Sequence, residues 1–288
     1  MGESLESREQ KEYEPVGVAV ELLADPRHPE HTQDQVIGVE ILGGDSGIIA
    51  AIDGVGSGKR DSAYAAGIVR RSLKILSEDI TEIPSVEEGK EILSKSLLGC
   101  APKIRNLQME RDNKDADTVA AIGMVCESEG KRFLVIANVG DARIYEFDVA
   151  HGLVKQLSHD HSHLALLVQA GFITPEEAFN SPGRMLVSKT VGGLKTAEEI
   201  NFDIIEIKEG RIYIAMSDGI SDNVPPAQMS TFLLTEFQAA FDPTIRNVDL
   251  GKFVRAVAAK ARTIQQSSAS YAKRDDISIA ALRIPRKR

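Results

Sequence analysis

Short apolar runs rich in β-branched residues open the chain. Val16-Gly17-Val18-Ala19-Val20-Glu21-Leu22-Leu23, Val36-Ile37-Gly38-Val39-Glu40-Ile41-Leu42 and Gly47-Ile48-Ile49-Ala50-Ala51-Ile52 have strand length and predict three strands, with Asp25, Pro26 and Pro29 in the first loop. From Lys59 the period changes. Ala66, Val69, Leu73 and Leu76 recur at helical spacing, and a second helix is predicted over about 86–111. Strands then return as a meander at 118–126, 133–138 and 142–147, with Glu127-Ser128-Glu129-Gly130-Lys131 as the tight turn between the first two. Residues 158–193 are less regular. They hold His159, His161 and His163, a helical piece at 164–171, and Thr174-Pro175-Glu176-Glu177 with the proline of a helix start, which together predict a helical insertion. Strands at 202–207 and 211–216 flank Lys208-Glu209-Gly210, helices follow at about 227–240 and 250–266, and a last strand covers 277–284.

Strands in series alternating with paired helices, rather than strict strand-helix-strand units, predict an α+β fold with largely antiparallel pairing. The economical packing is two sheets face to face with helices outside. No linker rich in Pro, Gly or Ser and no internal repeat interrupts the pattern, so a single domain over 15–288 is expected after a loose, acidic tail at 1–14.

At 288 residues the chain can bury a sizeable core. With 34 Lys+Arg against 43 Asp+Glu its formal charge is -9, which argues against nucleic acid as a partner. Cys100 and Cys126 lack metal-ligand spacing and suit a reduced, cytoplasmic protein. No run reaches bilayer length, and 1–14 lacks the basic start and apolar stretch of a signal peptide, so no membrane partner is expected.

Aspartates stand where the apolar runs stop: Gln33-Asp34, Ile52-Asp53-Gly54-Val55-Gly56, Val139-Gly140-Asp141, Met216-Ser217-Asp218-Gly219 and Arg274-Asp275-Asp276. A single Asp-Gly is an ordinary turn. Repetition at strand ends is the signature of carboxylates crowded around a hard divalent cation, which prefers oxygen ligands. Competing chemistries have weaker support. His159, His161 and His163 alternate but lie in a polar stretch, which favours surface or structural roles. Gly54, Gly56 and Gly58 lack the Gly-Lys-Ser/Thr of a phosphate loop and the spacing of a dinucleotide fingerprint. Ser217 has no Gly-x-Ser-x-Gly elbow around it.

These blocks, in this order along nearly the whole chain, resemble the metal-dependent protein serine/threonine phosphatases of the PP2C (PPM) type. Ala51-Ile52-Asp53-Gly54-Val55-Gly56 is similar to the family's strand ending in Asp-Gly-x-Gly, and Ala137-Asn138-Val139-Gly140-Asp141-Ala142-Arg143 to its Ala-Asn-Val-Gly-Asp-Ser-Arg block. Ser217-Asp218-Gly219 resembles its second Asp-Gly, Asp275-Asp276 its terminal Asp-Asn, and Gln33-Asp34 its early acidic pair. Leu157-Ser158-His159-Asp160-His161-Ser162 through Ile173-Thr174-Pro175-Glu176-Glu177-Ala178 resembles the flap of bacterial members.

The resemblance implies two central antiparallel sheets flanked by helix pairs, a four-layer αββα sandwich with a flap at about 158–193. It implies two Mn2+ or Mg2+ ions and a third, weaker site. Asp53 would bridge the two ions with the Gly54 carbonyl supporting one, and Asp218 and Asp275 would ligate the other. Asp34 would act directly or by orienting water, Gln33 would stand beside the second ion, and Asp141 would serve the third. Asp34, Asp53, Asp218 and Asp275 form the implied catalytic set. They would hydrolyse phosphoserine and phosphothreonine of a phosphorylated protein substrate by in-line attack of a metal-bridging water or hydroxide, with no phosphoenzyme, in a monomer.

The chain departs from the family pattern at several places. Gln33 replaces a frequent Glu, and an amide cannot neutralise a cation. Pro29 stands where animal members carry a phosphate-gripping Arg, although Arg27 is near enough to substitute. Val55 replaces a His that protonates the leaving oxygen in animal members, which leaves no named general acid. Asp117-Thr118 replaces Gly-Thr-Thr, and Asp276 replaces Asn, an extra charge expected beside the metals and acting on Asp275. Gln33 and Pro29 motivate the rival reading, a catalytically weak or inactive pseudophosphatase that acts as a partner-binding module. An α+β binding domain with incidental Asp-Gly turns would hold no metal.

Overall fold

The computed structural model describes residues 17–30, 32–56, 59–242 and 247–284; the expected tail at 1–14, Val16, Gly58 and the basic end 286–288 lie outside them. Three strands come first: β1 (Gly17–Leu23), β2 (Gln35–Ile41) and β3 (Ser46–Val55). Helices α1 (Lys59–Asp79) and α2 (Val86–Glu110) follow, then β4 (Asp117–Ser128), β5 (Lys131–Val139), β6 (Arg143–Asp148) and β7 (Leu153–Gln156). Next come the short helices α3 (His163–Gln169) and α4 (Pro175–Phe179), then β8 (Asn201–Glu206), β9 (Arg211–Met216) and the single turn α5 (Asp218–Ser221). Helix α6 (Met229–Ala240), the two-residue strands β10 (Phe241–Asp242) and β11 (Asn247–Val248), helix α7 (Leu250–Gln265) and β12 (Ile277–Arg283) complete the described chain.

Two five-stranded sheets carry the architecture, in the orders β2-β3-β4-β5-β8 and β1-β12-β9-β6-β7, with antiparallel pairing throughout. Residue parity explains the layers. On β3, Ile48, Ala50 and Ile52 pack with Val69 and Leu73 of α1 and Leu93 and Leu97 of α2, while Ile49 and Ala51 turn to the other face. There they meet Tyr213, Ala215, Ala280 and Leu282 of the second sheet. The opposite parity of β12 sends Ile277, Ile279 and Ala281 against Phe253, Val254 and Val257 of α7. Successive strand side chains point to opposite faces, so a strand buried on both reads as an unbroken apolar run. The result is the expected αββα sandwich.

The sequence-predicted elements recur with end shifts of a residue or two, except that β3 continues three residues past Ile52 to Val55 and so includes Asp53. Glu129 and Gly130 both take positive φ, 52° and 69°, as a tight right-twisted hairpin requires. The strand expected to run through Leu42 ends at Ile41, because Leu42–Gly44 turns as a 3-10 segment. Sequence reading missed β7, β10 and β11, which are too short to show a period.

Candidate active site

Antiparallel register gathers the aspartates at one end of the sandwich. The start of β2 lies beside the end of β3 (Gln35 opposite Ile52), the end of β3 beside the start of β4 (Asp53 opposite Val119), and the start of β4 beside the end of β5 (Ala120 opposite Val139). Asp34, Asp53 and Asp141 therefore emerge on one rim. In the facing sheet the end of β9 pairs with the start of β12 (Met216 opposite Ile279), which brings Asp218 and Asp275 to the same rim. Two glycines permit the close approach. A Cβ on Gly219 would lie 1.8 Å from the Asp276 carbonyl oxygen, and Gly140 turns at φ 101° against Val119.

Asp53 is the shared neighbour. Its carboxyl interacts with Asp34 on one side and Asp218 on the other, and Thr118 Oγ1 donates to its carbonyl at 2.6 Å. Burial and the negative charges around it push Asp53 well above the ordinary carboxylate range. Burial, then Asp275 and Asp276, push Asp34 up to about 8. Asp141 is raised by burial and by Asp218, Asp160 and Asp222. These shifts report burial first and crowded negative charge second, which the nearby Lys273 offsets only in part for Asp53 and Asp141. Asp34 Oδ2 and Asp218 Oδ1 are buried and have no hydrogen-bond partner among the described residues. Orphaned oxygens in an all-oxygen cluster fit a hard divalent cation, whose charge would relieve the repulsion.

Lys273, which sequence reading passed over, reaches into the cluster. Its ammonium donates to Asp218 Oδ2 and lies 2.9 Å from Asp275 Oδ2 and 3.8 Å from Asp222 Oδ2. Burial works against the Asp218 charge, but the ammonium outweighs it and holds this carboxyl below its usual range; Asp275 stays raised by burial and Asp218. No three His, Cys, Asp or Glu side chains among the described residues stand in ready metal-ligand geometry. Asp222 was missed too. It lies one helical turn after Asp218, is 5% exposed, and burial with Asp218 pushes its carboxyl up to about 6. Alternation along an extended segment, Lys273 to Asp275, and an i,i+4 step, Asp218 to Asp222, were the signals that could have found them.

The flap-like stretch docks beside this cluster. Arg184 donates to the carbonyls of Phe179 at 2.9 Å and Tyr271 at 2.6 Å, its guanidinium lies 5.1 Å from the Phe179 ring centroid, and Asp222 is 3.9 Å away. Asp117 ties down the other end, accepting from Thr190 Oγ1 at 2.7 Å and Gly192 N–H at 2.8 Å. A cavity of about 440 Å3 lies between Asn180–Met185 and Ser270–Lys273, lined by Arg184 and Lys273 among others. His161 is structural: its Nδ1 accepts the Gly140 N–H at 3.0 Å, while His159 is exposed.

Two expectations change. Arg27 is near enough to feel Asp275 and Asp276, but its guanidinium is committed to Asp25 at 2.5–2.8 Å and to the Arg274 carbonyl at 3.0 Å rather than held out for a phosphate. Asp276 acts on Asp34 rather than as a raiser of Asp275, since its oxygens are taken by the backbone N–H groups of Asp25 and Gln33, both at 2.6 Å. Gln33 thus enters the network through its main chain, and its carbonyl oxygen would lie 2.8 Å from a Cβ on Gly54.

The four-layer sandwich with its rim of buried carboxylates has counterparts among known proteins, and these supply the class. The protein phosphatase 2C profile matches residues 27–255, and the chain belongs to that family of serine/threonine phosphatases. The serine/threonine phosphatase stp of Listeria innocua is 27% identical over 187 residues, 65% of this chain and 71% of the relative. PstP of Mycobacterium tuberculosis is 30% identical over 183 residues, 62% of this chain but 32% of that longer protein. Among solved structures, Stp1 of Staphylococcus aureus superimposes with a TM-score of 0.75 at 20% identity, covering 98% of this chain and 100% of its own. The PstP catalytic domain in complex with two manganese ions gives 0.68 at 19% identity, covering 94% and 99%.

Proposed function

We propose that this phosphatase hydrolyses phosphoserine and phosphothreonine in proteins, with the Asp53-centred carboxylates holding Mn2+ or Mg2+. The observation that carries the reading is the run of buried carboxylates Asp34–Asp53–Asp218 at the rim, with Asp34 Oδ2 and Asp218 Oδ1 lacking hydrogen-bond partners among the described residues, beside a cavity that Lys273 lines. Such ions, when bound, would supply a water acidic enough to attack at neutral pH and would neutralise phosphate oxygens.

The chain's own residues do the rest. Asp53, between Asp34 and Asp218, would be the shared ligand; Asp218 and Asp275 would serve one ion, and the Gly54 carbonyl with Gln33 the other. Asp34 Oδ2, buried and without a hydrogen-bond partner among the described residues, would orient the attacking water. Asp141 and Asp222 flank Asp218 and suit a weaker third ion. Ser217 is fully buried and its Oγ accepts the Ser278 N–H at 3.0 Å, which supports direct attack by water without a phosphoenzyme. The cavity beside Lys273 and Arg184 receives the phosphorylated segment. Both sheets share one interior cluster, which supports a single catalytic unit over 15–288; that unit is proposed to act as a monomer. The two free, buried cysteines suit the cytoplasm, and no helix among the described residues is long and apolar enough to cross a membrane.

One observation favours the rival pseudophosphatase: an ammonium already stands between Asp218 and Asp275. Turnover separates the two. Hydrolysis of a phosphothreonine peptide is expected only with Mn2+ or Mg2+ and should fall at least about 100-fold in Asp53→Asn or Asp218→Asn, the scale of losing one preorganised electrostatic group. A wild type inert with every divalent ion would overturn the enzyme reading.

A further inference from the structure

Lys273 is fixed in place by more than its charge. Its backbone N–H donates to Asn223 Oδ1 at 2.8 Å and its carbonyl accepts from Asn223 Nδ2 at 3.0 Å, while the same amide reaches the Gly219 carbonyl at 2.9 Å. Asn223 is itself fully buried. This clamp holds the Lys273 segment against α5, the turn that carries Asp218 and Asp222, and leaves the side chain 17% exposed. An ammonium buried to that degree is stable only where carboxylates compensate it, and here three do.

We propose that Lys273 is a displaceable internal counter-ion: it holds Asp218 and Asp275 together in the metal-free chain and must yield those oxygens to a divalent cation. The assignment rests on the divalent-cation reading of the cluster. Asp218 Oδ2 and Asp275 Oδ2 cannot ligate a cation while they hold the lysine at contact distance, and two cations sharing these oxygens would repel. The flexible four-carbon stem gives the ammonium a way out, and the cavity of about 440 Å3 that Lys273 already lines is the adjoining space. A chain built this way keeps its acidic rim ordered without metal, at the cost of weaker metal binding than the same carboxylates would show alone.

Two measurements test this. In calorimetric titration of the metal-free protein with Mn2+, Lys273→Gln should bind on the order of tenfold more tightly than wild type, the effect of removing one competing partner. In the unaltered protein, acylation of Lys273 by an amine-reactive reagent, read by peptide mass spectrometry, should be slow without metal and severalfold faster with saturating Mn2+. Unchanged or weaker Mn2+ affinity in a folded variant, or labelling indifferent to Mn2+, overturns the proposal. If the variant does not fold, wild-type labelling decides alone. Wild type that binds no Mn2+ overturns the cation reading itself, whereas Mn2+ binding that leaves Lys273 unreactive overturns only the counter-ion role.

Discussion

Asp276 accepts the backbone N–H of Gln33 at 2.6 Å across 243 positions of sequence, and its other oxygen takes the N–H of Asp25 at the same distance. One 2% exposed carboxylate thus pins the loop that delivers Asp34 to the strand entry that delivers Asp275. Charge-assisted bonds of this kind contribute about 1.5–3 kcal/mol. Asp276→Ala is expected to lower unfolding free energy by roughly 3 kcal/mol, and Asp276→Asn by less, because the amide oxygen keeps one acceptor. Urea denaturation at saturating Mn2+ measures both; equal, small losses would show that the two bonds carry little.

Arg184 latches the flap-like stretch through Phe179, Tyr271 and Asp222. Arg184→Ala should speed limited proteolysis within 158–193 by about 10- to 100-fold, the equivalent of 1.4–2.8 kcal/mol of local opening. Arg184→Lys should rescue little, because a point charge cannot both stack on Phe179 and reach two carbonyls. Unchanged cleavage would place the hold elsewhere, with Asp117 as the next candidate.

His161 gives a pH signature. Burial, with Lys189 nearby, lowers its pKa, so the folded chain favours the neutral imidazole whose Nδ1 receives the Gly140 N–H. The folded value lies below the unfolded one of about 6.5. No penalty exists above that pH, and stability is lost as pH falls below it, because the unfolded chain takes up the proton first. With Mn2+ saturating, melting curves between pH 7.5 and 5.5, a range bracketing about 6.5, should slope less in His161→Asn than in wild type. Parallel slopes would mean that His161 titrates normally.

Chelation should lower the melting temperature. Mn2+ at about 100 times its Kd stabilises by about 2.7 kcal/mol, or roughly 4–5 °C for a chain of this size. Asp53→Asn should lose most of that shift. A melting curve indifferent to chelator and to Mn2+ would contradict a cation-held rim.

Much of this was legible in the sequence, for physical reasons. Asp53 and Asp218 end runs that are apolar on both faces, such as Gly47–Ile52, so their placement at strand ends followed from the pattern. The sandwich followed from the same parity. Lys273 and Asp222 left only weak signals, the two-residue step to Asp275 and the four-residue step from Asp218, and Arg184 left none, because such charges look like solvated surface until packing buries them. Asp276 was read as extra charge beside the metals; its hydrogen bonds depend on loop closure between distant segments, which local pattern does not encode. Strand β7 escaped because its four residues, Leu153–Gln156, are mostly exposed and show no alternation.

The central claim is that Asp53, Asp218 and Asp275 share divalent cations. Anomalous diffraction from crystals grown with Mn2+ tests it most directly. The account expects peaks bounded by Asp53, with Asp218 and Asp275 ligating one of them and Lys273 swung away. Crystals that diffract well in saturating Mn2+, with no peak at this rim and Lys273 still bound to Asp218, would contradict it.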